Sequence, residues 1–98
     1  MKYRPREGVV LINLCGTFLL VPTRAASEAC PGILTIPVIE VIVWRWMEKG
    51  KEYAEILDVL AKFAMKKPEE MQGYLDKILN KLYEKGFLVA AEEDDDAR

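Results

Sequence analysis

Hydrophobic positions change their period part-way along the chain, which divides it into a strand-forming part and a helix-forming part. Residues 9–13 and 17–21 are short, mostly apolar runs with β-branched or aromatic side chains in each. Leu14, Cys15 and Gly16 lie between them. Glycine enters a positive φ at little steric cost, so this stretch predicts a β-hairpin. Pro22 ends the second run, and residues 23–32, with Ser27, Pro31 and Gly32, predict a loop. Residues 33–36 predict a short third strand. It stops at Pro37, which has no backbone N–H and suits the first turn of a helix.

From residue 37 to 49 the period is helical. Ile39, Ile42, Val43 and Trp46 share one face, and Val38, Val41 and Trp44 make the helix apolar over a wide arc. Gly50 is a natural C-cap. A second helix over residues 52–65 is expected to bury Tyr53, Ile56, Leu57, Leu60, Phe63 and Ala64. Pro68 opens a third, with Glu69 and Glu70 in its first turn and Lys81 and Lys85 near its end, an order that complements the helix dipole. Its core stripe is Met71, Leu75, Ile78 and Leu82, widened by Leu79 and Tyr83. Gly86 closes it, and residues 87–90 add a brief extended segment. The expected fold is therefore α+β and winged-helix-like, a three-stranded antiparallel sheet followed by three helices.

Composition narrows the chemistry. The 98 residues are 51% hydrophobic and 31% charged, which suits one compact domain. Residues 1–90 are expected to form it; residues 91–98 then make an acidic, disordered tail in which 92–96 are five consecutive carboxylates. Fourteen basic against sixteen acidic residues give a net charge of -2, which offers nucleic acid no general attraction. There is no histidine, which removes the Ser-His and Cys-His nucleophile pairs and the usual zinc and haem ligands. With no Gly-rich phosphate loop and no metal-ligand cluster either, no cofactor, no metal and no enzymatic activity are expected.

The beginning of the chain imitates a secretory signal, since Lys2, Arg4 and Arg6 precede an apolar run. Pro5, Glu7 and Asn13 interrupt the pattern, and Leu14 before Cys15 is bulky for a lipoprotein cleavage site. Residues 33–47 fall short of the ~20 that a membrane helix needs and contain Pro37, Glu40 and Arg45. The expectation is a cytoplasmic protein without a membrane partner, in which Cys15 and Cys30 are ordinary free thiols.

Several residues, in their order and spacing, resemble the PqqD family, small peptide chaperones whose fold is also called the RiPP recognition element. They are Gly8-Val-Val-Leu-Ile-Asn in the first strand, Leu34-Thr35 where the family often has Leu-Asn, Trp44 and Gly50 around the first helix, Glu55-Ile56 early in the second, and Leu82-Tyr-Glu-Lys-Gly-Phe-Leu88. The resemblance covers most of the chain. Thr35 in place of the frequent Asn, and the Cys-Pro-Gly turn at residues 30–32, depart from the pattern. The resemblance implies a domain that binds the leader segment of a ribosomally made precursor peptide and delivers it to a modifying enzyme, frequently a radical-SAM protein. The leader would add as a strand beside residues 33–36 and rest against the third helix.

On that reading Ile33, Leu34, Thr35 and Ile36 offer backbone donors and acceptors to the peptide, while alternating side-chain pockets give selectivity. Leu34 and Ile36 face one side and Ile33 and Thr35 the other; the sequence leaves open which pair is buried. On the third helix, Tyr74, Lys77, Lys81 and Lys85 flank the stripe that contains Ile78, a basic rim suited to a peptide with acidic residues beside apolar anchors. The bland alternatives are an edge strand blocked by the preceding loop and lysines that solvate an outer face. Trp44 and Trp46 are expected in the core rather than on a stacking platform. The competing function is a winged-helix DNA-binding regulator, but the candidate recognition helices offer lysine, glutamate and apolar residues in place of base-reading Arg, Asn or Gln.

Overall fold

Cys15 and Gly16 both adopt positive φ, 52° and 84°. That combination is what a two-residue type I′ turn needs, and it matches the right-handed twist of the strands it joins. In the computed structural model, which describes residues 2–24, 26–30 and 32–91, Val9–Leu14 therefore pairs with Thr17–Pro22 from Leu14 opposite Thr17 to Val9 opposite Pro22. The turn is one residue shorter than the sequence pattern suggested, because Leu14 continues the strand. Asn13 Oδ1 accepts a hydrogen bond from the Gly16 amide at 3.0 Å and helps hold the reversal.

In chain order the elements are β1 (Tyr3–Pro5), β2 (Val9–Leu14), β3 (Thr17–Pro22), α1 (Ala26–Ala29), β4 (Leu34–Ile36), α2 (Val38–Glu48), α3 (Tyr53–Ala64), α4 (Pro68–Glu84) and β5 (Leu88–Ala90). The fold is α+β, with a three-stranded antiparallel sheet ordered β2-β3-β4 and a two-stranded antiparallel sheet of β1 and β5. Two elements correct the sequence reading. The expected 23–32 loop contains α1, so the helices number four among the described residues rather than three. Tyr3–Pro5, two of whose three residues are Arg and Pro, is a strand because β5 supplies its partner. Of the expected tail at 91–98, Ala91 is described and hydrogen-bonded to the Lys2 carbonyl, while residues 92–98 lie outside the described residues, as does Pro31 of the Cys-Pro-Gly turn.

Helix ends follow local chemistry closely. Gly50 (φ 78°) closes α2 and Gly86 (φ 89°) closes α4, each with the paired backbone bonds of a Schellman motif, Gly50 to Met47 with Lys51 to Trp46, and Gly86 to Tyr83 with Phe87 to Leu82. α3 closes the same way on Met65, in the left-handed region at φ 58°, where an L side chain is strained. Pro68 opens α4, and Glu70 Oε2 accepts the Lys67 amide at 2.9 Å.

The core lies between the sheet's inner face and α2, α3 and α4, with Leu20, Val43, Trp44, Ile56, Leu60, Leu75, Leu82, Phe87 and Leu88 fully buried. On α4 the buried set is Met71, Leu75, Ile78, Leu79 and Leu82, as the spacing predicts, while Tyr83 is exposed. On α2 the buried face is rotated from the expected one. Glu40, Val41, Val43, Trp44 and Met47 are inside, whereas Ile39, Ile42 and Trp46 are half-buried. Phe63, expected in the core, is 52% exposed. No helix among the described residues is long and apolar enough to cross a membrane.

Candidate functional site

Register settles which face of β4 is buried. Phe18 lies opposite Ile36, Leu19 opposite Thr35 and Leu20 opposite Leu34. Leu20 and Ile36 are buried and Leu34 is half-buried, so this set faces the core. Thr35 and the preceding Ile33 are exposed. The outer face is apolar across strands: Ile12 stands opposite Leu19 and Val10 opposite Val21, and Val10, Ile12 and Leu14 are all exposed. β4 pairs with β3 on one side; on its other side no strand is paired among the described residues. Such an edge presents a row of backbone donors and acceptors.

The segment that contains β4 is fastened at one end to Gly86, just past α4, and at the other to Lys81 in the last turn of α4. At its start, Gly86 comes so close to α1 that a Cβ there would overlap the Ala29 carbonyl oxygen. The Gly86 carbonyl accepts from Arg6 Nε at 2.6 Å and from the Cys30 thiol at 3.3 Å. Burial pushes the Cys30 thiol above its ordinary pKa, with the Arg6 charge pulling the other way. At the far end, one turn into α2, buried Glu40 receives Lys81 Nζ on both carboxylate oxygens, at 2.6 and 2.7 Å. These two attachments tie the segments that precede and follow β4 to the C-terminal end of α4.

The lysines proposed from sequence separate here. Lys81 is committed to Glu40. Its side chain is 38% exposed and that of Glu40 is 8% exposed, so the pair sits at the rim of the core. Lys77 and Lys85 are exposed, and no ion pair or hydrogen bond ties either to another described residue. An open groove of about 550 Å³ runs along this side of α4, lined by Lys77, Asn80, Lys81, Glu84 and Lys85. Tyr74 is exposed one turn before it. Ile78 is buried, so it supports the helix from beneath rather than offering a contact; the Ile36 side chain is likewise in the core, which leaves its backbone as what it brings to the β4 edge.

Other sequence candidates resolve into structure. Trp44 is fully buried; Trp46 is half-buried, with the ammonium groups of Lys49 and Lys51 at 5.7 and 5.8 Å from its ring. Cys15 is exposed at the hairpin tip and Cys30 is buried. The residue that sequence reasoning missed is Glu40. A lone carboxylate inside an apolar run was the available signal, but its partner is 41 positions away. Elsewhere on α4, Asp76 Oδ1 accepts the Tyr53 hydroxyl at 2.7 Å. Burial first, then that hydrogen bond and the Asp76 charge, push the phenol up to about 12.

Comparisons with family models, with curated proteins and with solved structures find nothing that matches this chain.

Proposed function

We propose that this chain is a PqqD-like, winged-helix-like peptide carrier. It binds the leader segment of a ribosomally made precursor peptide and presents it to a modifying enzyme of the radical-SAM class. The leader adds as a strand along the free edge of β4 and lies against α4, with Ile33, Leu34, Thr35 and Ile36 supplying backbone hydrogen bonds. Lys77 and Lys85 meet acidic side chains of the leader, and Tyr74 extends the same wall. One observation supports this reading above the others: among the described residues β4 has no strand on its second side, and the segments flanking it are attached, at Ala29–Cys30 and at Glu40, to Gly86 and Lys81 at the end of the helix on which Lys77 and Lys85 have no described partner. Main-chain pairing gives such a site affinity, and the helix groove gives it a way to select side chains. Lys81 has a different part, positioning α2 and β4 through Glu40.

The test is a titration with the leader half of a short peptide encoded beside this gene, followed by amide hydrogen exchange on the complex. One-to-one binding with slowed exchange at residues 33–36 is the expected result. Lys77→Glu together with Lys85→Glu is expected to weaken an acidic leader about tenfold, since each exposed pair is worth ~0.2–1 kcal/mol. Absence of binding with and without the modifying enzyme overturns the proposal, and so does protection that appears at β2 instead of β4.

A further inference from the structure

The outer edge of β2 is complementary to itself. We propose that it binds the same edge of a second copy of this chain, antiparallel across a two-fold axis with Ile12 opposite Ile12, so that two copies share one six-stranded sheet. The inference is independent of the function proposed above, since it leaves both β4 edges at the outside of the joined sheet.

The hairpin turn fixes which backbone groups of β2 are free. Leu14 and Thr17 flank the two-residue turn as a hydrogen-bonded pair, so Leu14, Ile12 and Val10 direct their N–H and C=O groups toward β3, and Leu11 and Asn13 direct theirs outward. The far end of the hairpin agrees with this phase. Thr23 donates to the Gly8 carbonyl at 2.8 Å, while Pro22, which has no N–H to give, stands opposite Val9. The Val9 amide is already taken by the Arg6 carbonyl at 3.2 Å. Among the described residues no strand pairs with the outward groups of Leu11 and Asn13. Setting Leu11 opposite Asn13 of a second copy, twice by symmetry, satisfies the N–H and C=O of both residues on both copies. A slide that sets Leu11 opposite Leu11 aims the Asn13 carbonyl at the engaged Val9 amide and loses that bond. The favoured register also places Val10 against Leu14 and Ile12 against Ile12 on the sheet's outer face, and these three are the exposed apolar residues of β2. Charge does not oppose the contact: residues 8–23 contain no Asp, Glu, Lys or Arg, although 31% of the chain is charged, and Glu7 lies beyond the paired residues. Edge strands that stay single are marked by charge, proline or shortness, and six-residue β2 has none of these. The two strands meet along roughly 20 Å, which buries well under the ~800 Å² per partner of a stable dimer, so the association is reversible and depends on concentration. It also closes on itself, whereas β2 on β4 of the next copy would leave an edge of each kind free and grow a filament. β4 has half the length of β2 and stops at Pro37, so it offers fewer bonds.

Cysteine scanning on the full chain tests the register. In a Cys15→Ser background, Ile12→Cys is expected to give a disulfide-linked dimer under mild oxidation. Residues facing each other in a non-hydrogen-bonded pair have Cα atoms ~4.5 Å apart, within disulfide reach. Val10→Cys, about 14 Å from its copy in this register, is expected to link at least tenfold less. Linkage at residue 10 in place of 12, equal linkage at both, or linkage at neither overturns the inference. Sedimentation equilibrium of the parent chain, from micromolar to millimolar concentration, is expected to show a reversible monomer–dimer equilibrium. Ile12→Lys, at an exposed position, sets two like charges opposite each other and is expected to weaken that equilibrium at least tenfold. A parent that stays monomeric throughout, a mass that grows past the dimer, or unchanged association of the Ile12→Lys chain overturns the inference, whatever a leader peptide does.

Discussion

Among the described residues, each outer strand of the three-stranded sheet is paired on one side only, yet the two sit in different surroundings. β2 has six residues and ends in the exposed hairpin tip at Leu14 and Cys15. β4 has three, and the segments on either side of it are fastened by the Ala29–Gly86 approach, just past α4, and by the Glu40–Lys81 pair on α4. An edge alone provides backbone hydrogen bonds to any extended chain. An edge beside a fixed helix wall also provides a place where side chains can be told apart. On the proposed function, selection among peptides would depend on what holds the strand as much as on the strand.

Releasing the start of β4 should have the largest effect. Gly86→Ala puts a methyl group on the Ala29 carbonyl in a backbone conformation that disfavours any L side chain. A loss of about 3 kcal/mol is expected, roughly 12–24 °C in Tm for a domain of this size. A melting curve within about 2 °C of the parent would show that the attachment is dispensable.

Releasing the other end comes next. Lys81→Met leaves the Glu40 carboxylate buried without its cation, with an expected cost of about 2 kcal/mol after allowing for the solvent access of the lysine. Combining it with Glu40→Leu should restore most of that loss, because the pair is then removed together with its desolvation penalty. Urea denaturation of the two variants and the parent checks this. If both variants lose the same amount, the pair is not the fastening described here.

The smallest effect separates the two edges chemically. Iodoacetamide at neutral pH should modify Cys15 on the hairpin and spare Cys30, whose thiol is buried and held at the Gly86 carbonyl. Modification of Cys15 should change stability by less than about 0.5 kcal/mol, as for surface changes away from packed features. Gly86→Ala should expose Cys30 to the reagent. Equal rates at the two thiols in the parent chain would erase the contrast between a free edge and a fastened one. Intact mass with peptide mapping reads the result.

Much of the fold was legible because it depends on local rules. Two short apolar runs around Gly16 gave the hairpin, Pro37 and Pro68 gave two helix starts, and Gly50 and Gly86 gave two helix ends. The spacing of Met71, Leu75, Ile78 and Leu82 gave the buried side of α4. Short elements were not legible. α1 has four residues, too few for helical propensity to sustain alone, and it forms where Ala26 is buried and Gly86 admits its backbone. β1 forms because β5 reaches it from the other end of the sequence. The exposed Phe63 marks the opposite failure, since helical spacing names a face without saying whether another element covers it.

The candidate site divides along the same line. The sequence by itself identified a strand at residues 33–36, one residue longer than the observed Leu34–Ile36 because Ile33 lies outside the pairing with β3, and Tyr74, Lys77, Lys81 and Lys85 as one flank of a helix. It could not rank three lysines at equivalent spacing, because their difference lies in a carboxylate 41 residues from Lys81. Nor could it decide which side of β4 faces the core. Periodicity is a property of neighbouring residues, and it fixes which side chains share a face. Burial, charge pairing and a free strand edge arise between distant segments, and only the tertiary structure decides them.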